Sequence, residues 1–166
     1  MQKKIENKEE FIATLRERAR ERFPELGGII DNVKVGFGGE TKKAEVAKDE
    51  VTKDLGINLD LRYMESKNEK PDEQLFVFMH EVLHIVWDDI NARDEKEDPY
   101  LWNRACDAVR NHQVAQMLGM PIPSDLVNIP EAKGKKPREV YKELEERQGK
   151  KSKVTLPEKG HQHSKI

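Results

Sequence analysis

The chain of 166 residues contains a single cysteine, Cys106. That excludes an internal disulfide framework and fits a reducing compartment. It also lacks any apolar run approaching the roughly 18 residues that a membrane-spanning helix needs. The opening residues, MQKKIENKEE, lack the apolar stretch of a secretory signal, so the cytoplasm is the expected location. Net charge is small, −2, and the two signs are interspersed, which argues against nucleic acid as a partner. No internal repeat is present. What the chain does have is 37% charged residues against 36% apolar ones, which calls for a compact core under a heavily charged surface. One domain of this size can bury such a core without staples. We expect it to occupy residues 1–148, followed by a core-poor, basic, disordered tail at 149–166.

Local signals place the elements. Asn7 and Glu10 resemble a capping box, and Phe11, Ile12, Leu15, Ala19 and Phe23 recur at helical spacing. They predict a helix over 8–23, stopped by Pro24 and the Gly27-Gly28 pair. Val33, Val35 and Phe37 alternate as in a short strand. Residues 40–54 are charged and ambiguous. Ile57, Leu59, Leu61 and Tyr63 alternate with polar neighbours, predicting a strand over 57–63 with one wet face. That strand is a candidate edge for an extended peptide, or an ordinary core strand.

Pro71, Asp72 and Glu73 suit a helix start, and Leu75 to Trp87 is apolar almost all round, as in a buried central helix. A charged loop over 88–97 follows. Asp98 as N-cap with Pro99 opens a helix through Leu118 that Gly119 closes. Pro121, Pro123 and Pro130 force an irregular connection, and Pro137 opens a last amphipathic helix with Val140, Tyr141 and Leu144 inward. The fold class is α+β: a short antiparallel or mixed sheet packed on the buried 71–87 helix, with the 98–118 helix closing the site from behind.

Only three polar residues interrupt the apolar stretch, and they read His80-Glu81-Val82-Leu83-His84. Histidines four apart on one helix face can direct both imidazoles at one metal ion. The glutamate after the first histidine is rotated off that line. It can act as a general base on a metal-bound water without itself being a ligand. Burying three such groups without a purpose is costly. The bland alternative is a set of core polar residues satisfied by backbone or neighbours.

A catalytic zinc, one ion here, takes a third protein ligand and keeps an open position. Asp107 and His112 on the 98–118 helix are the candidates, with Asp107 favoured. Cys106 fits better as a small core residue. Asn103, Asp107 and Asn111 form a stripe at i, i+4 spacing. The asparagines are candidates for hydrogen-bonding the metal ligands from behind, although spacing alone reads them as a solvated face. Tyr100, Arg104, Arg110 and His112 are candidate transition-state stabilisers, and nothing in the sequence selects among them. His161 and His163 read as exposed tail histidines.

The stretch MHEVLHIVWDDINARDEKEDPYLWNRACDAVRNHQV resembles a family of predicted bacterial and phage metallopeptidase domains of zincin type. Several of those domains precede a von Willebrand factor A-like domain. They pair the HExxH helix with a second motif, approximately DPxxWNxAxDxxxN. This chain matches that motif at Asp98, Pro99, Trp102, Asn103, Ala105, Asp107 and Asn111. The resemblance covers about residues 75–146. It implies His80, His84 and Asp107 as zinc ligands, Glu81 as the base, and a peptide or protein substrate. His112 departs from the family pattern and stays open as an alternative ligand. We expect no further domain after the zincin-like unit, in which case the contribution of such a domain would be absent or come in trans. Two other readings are a zinc-stabilised regulatory module with little turnover and a dedicated protease of one regulatory protein.

Overall fold

The computed structural model describes residues 4–38 and 43–151, and the chain divides into two compact units, Met1–Trp87 and Asp88–Ile166. In the first unit, helix α1 spans Lys8–Arg22 and is capped by the Asn7 side chain, which accepts the Glu10 N–H at 2.9 Å. Leu15 and Ala19 are its buried positions, and Phe23 after it is buried too. Pro24 ends the helix in a 3-10 turn, Pro24–Leu26. The Gly27-Gly28 pair, expected to stop helical structure, instead opens a short helix α2, Gly27–Asn32. Tertiary ties outweigh the poor propensity of glycine there. Ile30 is fully buried, and Arg16 Nη1 donates to its carbonyl oxygen at 2.5 Å.

Strand β1, Lys34–Phe37, lies where the alternation placed it. The ambiguous region contains β2, Ala44–Lys48, and β3 follows at Leu55–Leu59. The sheet order is β1-β3-β2, with β1 parallel and β2 antiparallel to β3. The sheet is therefore mixed, and β3 is its central strand. Paired on both sides, β3 cannot serve as the docking edge that its sequence allowed.

The expected strand also ends early. Asp60 caps a helix α3, Leu61–Ser66, by accepting the Tyr63 N–H at 2.8 Å, so Leu61 and Tyr63 are helical. The Leu61–Met64 spacing of three competes with the period of two, and capping plus full burial of Met64 decides it. Helix α4, Pro71–Val86, follows Lys67–Lys70 and packs against β2, β3 and α1. From Gln74 to His84 every residue of α4 is buried. Gln74 itself is satisfied, its Nε2 donating to the Met64 carbonyl and to Asn68 Oδ1, both at 2.8 Å.

The second unit begins with a short helix α5, Asp89–Ala92, inside the expected loop. Helix α6, Pro99–Leu118, has the caps read from sequence. Asp98 Oδ1 accepts from Tyr100 N and Leu101 N, and Gly119 sits at φ 63°. Helix α7, Pro137–Lys151, packs on α6 through Val140 and Tyr141, which join Leu101, Trp102, Ala105 and Val109 in one apolar cluster. Tyr141 Oη also accepts the Asp98 N–H at 2.8 Å. The helix reaches Lys151, so the tail expected from residue 149 is helical for its first three positions. The rest of that tail, with His161 and His163, lies outside the described residues. Among the described residues no helix is long and apolar enough to cross a membrane.

If the α3 cap and its one buried anchor matter as argued, Asp60→Ala should lower stability by about 1 kcal/mol. Met64→Ala should lower it by about 2–5 kcal/mol. Urea denaturation of both variants checks the order; equal losses would mean the cap is not a minor contributor beside the anchor.

Candidate metal centre

On α4 the i, i+4 spacing does what helical geometry requires. His80 and His84 stand on one face with their Nε2 atoms 2.8 Å apart and their rings edge to face, centroids at 4.4 Å. Two ring nitrogens facing each other so closely either share one proton or present two lone pairs to the same place. The second arrangement, with both protons on Nδ1, is what a metal ion takes. Glu81 leaves the helix about 100° away. Its Oε2 lies 3.9 Å from His80 Nε2, close to the pair yet off the line between the imidazoles. His80 and Glu81 are fully buried and His84 is 8% exposed. The first unit thus brings His80, Glu81 and His84 together, as the motif demands.

In the second unit, Asp107 is fully buried on α6, between Cys106 and Ala108, which are buried too. Burial, then the nearby carboxylates of Asp89 and Asp107, pushes the Cys106 thiol well above its ordinary range. As a neutral thiol it behaves as the small core residue expected. Two imidazoles and this carboxylate, all buried, each offer a ligand atom of the kind that could hold a metal ion. A set of nitrogen and oxygen donors fits a divalent cation of the zinc type.

The remaining candidates have defined places. Asn111 belongs to no solvated face: it is fully buried and Nδ2 donates to the Val127 carbonyl at 2.9 Å. Asn103 is half-buried. His112 Nε2 lies 2.8 Å from the Ile129 carbonyl, and since a carbonyl can only accept, that nitrogen carries the proton. Together Asn111 and His112 stitch the proline-rich connection to α6. Tyr100, one of the candidate transition-state stabilisers, is half-buried and packs against the apolar cluster of the second unit. Arg110, another of those candidates, is buried and committed to Asp89. Asp89 is the residue that sequence reasoning missed. It looked like one more acid in a charged loop, and no periodicity marked it.

Comparison with curated proteins and with solved structures returned no match. A family described as "putative metallopeptidase domain" matches residues 59–164, which takes in His80, Glu81, His84 and the whole of α6. Spanning well over half of the chain, that match shows that the protein belongs to this metallopeptidase-domain family.

Proposed function

We propose that the chain is a zinc-dependent peptidase in which His80, His84 and Asp107 hold the metal and Glu81 is the general base. The observation that carries this is the buried pair of imidazoles at 2.8 Å with a carboxylate beside them on one helix. Family membership supports metal-dependent hydrolysis as the class of reaction. Asp107 is a buried carboxylate within the stretch that the family covers, and a carboxylate oxygen is a donor that zinc takes beside two imidazoles, which supports its role as third ligand.

Zinc, when bound, would lower the pKa of water to about 7 and polarise the scissile carbonyl. The chain's own residues supply the rest. Glu81 accepts a proton as the water oxygen bonds to the carbonyl carbon. It returns that proton to the amide nitrogen as the C–N bond breaks, so a carboxylic acid and an amine leave and Glu81 is a carboxylate again. The apolar neighbours on α4, among them Phe78, Met79 and Val82, keep bulk water from competing for that proton.

Two measurements separate the roles. Glu81→Gln should bind zinc with the wild-type stoichiometry while turnover on a peptide library falls by about 10²–10⁴ or more. Undiminished cleavage by that variant ends the base assignment. His84→Ala and Asp107→Ala should instead purify without stoichiometric zinc by metal analysis. A zinc-loaded wild type that cuts no peptide, with or without chelator, would remove the peptidase reading and leave a metal-binding module.

A further inference from the structure

Among the described residues, the second unit contains a buried ion pair that the proposed chemistry does not use. Arg110 Nε donates to Asp89 Oδ2 at 2.8 Å and Nη2 to Asp89 Oδ1 at 2.7 Å, a two-pronged arrangement. Their side chains are 4% and 7% exposed. A third guanidinium nitrogen, Nη1, donates to Gln113 Oε1 at 3.0 Å. The main chain of Asp89 is held as well: its carbonyl accepts the Trp102 indole N–H at 2.9 Å. The start of α5 is therefore tied to α6 at two points, Trp102 and Arg110, and Asp107 lies between them.

Helical geometry gives those ties a consequence. Asp107 and Arg110 are three positions apart, so their side chains leave α6 about 60° apart around its axis. Fixing where Arg110 points fixes the rotational setting of α6, and with it the direction of Asp107. Asp89 in turn follows His84 by only five residues. One fork thus joins the segment just beyond the second histidine to the helix that carries the acid.

Stability alone is a poor reason for such a pair. Apolar residues of similar volume often serve as well or better in a buried site, whereas a lone buried charge is strongly destabilising. What two apolar side chains cannot supply is the fixed direction of a planar fork on a carboxylate. We propose that Asp89 and Arg110 are positioning residues for the metal centre, setting Asp107 for ligation. This rests on the zinc reading above.

The test uses the full chain and two variants. The double variant Asp89→Leu/Arg110→Met replaces the pair with apolar bulk, and Arg110→Lys keeps the charge but not the fork. Zinc affinity is read by competition with a chromophoric chelator, ligand geometry by the visible spectrum of the cobalt(II) form, and folding by circular dichroism without metal. We expect both variants to fold, to bind zinc about tenfold or more weakly, and to show an altered cobalt spectrum. Zinc affinity within about twofold of wild type in either folded variant overturns the proposal. Failure of both to fold would also overturn it, since the pair would then be a stability element first. A wild-type chain that binds no zinc removes the metal centre itself, a result distinct from an effect confined to the variants.

Discussion

The constraint on which this structure turns is the cost of placing ionisable groups where water is excluded. Helix α4 is buried from Gln74 to His84, and within that stretch it carries two imidazoles and a carboxylate. An unsolvated polar group without compensation costs kilocalories, and an isolated charge far more. Groups buried this deeply are held by partners, and on the reading proposed above a divalent cation is one that the two imidazoles share. On that reading, the apolar residues around the motif and the polar ones within it belong to one design: the first create a dry site, the second give it something to hold.

Much of the architecture was legible because local chemistry and tertiary packing agree. Asn7, Asp98, Pro71, Pro99 and Gly119 act at helix ends as their side chains or backbone freedom dictate, so α1, α4 and α6 fall close to the expected bounds. Illegible segments are those where two periods compete or none is visible. Leu61 and Tyr63 extend an alternating pattern past Asp60, but alternation does not reveal that Asp60 will cap a helix. The β2 segment reads Ala44-Glu45-Val46-Ala47-Lys48, with too little apolar bulk to announce itself. Its strand character comes from pairing with β3, a contact between segments that no local window contains.

The candidate site divides in the same way. His80, Glu81 and His84 are a local pattern, so spacing alone predicts that their side chains gather, and they do. Asn111 and Arg110 were ambiguous because a polar residue on a helix reads as solvated until its partner is known. Their partners are the Val127 carbonyl and the Asp89 carboxylate, 16 and 21 residues away. Sequence distance of that order is what makes a buried polar contact invisible beforehand.

The division of the chain at Trp87–Asp88 also bears on how the protein is made. Both compact units are contiguous in sequence, and chains tend to fold such units in the order of synthesis. On the proposed ligand set, both imidazoles emerge from the ribosome with the first unit, whereas Asp107 is translated later. A nascent chain would thus offer two nitrogen donors to passing cations before its acidic donor exists. Capture of the final metal ion would become a late event in biogenesis, governed by how quickly the second half is completed.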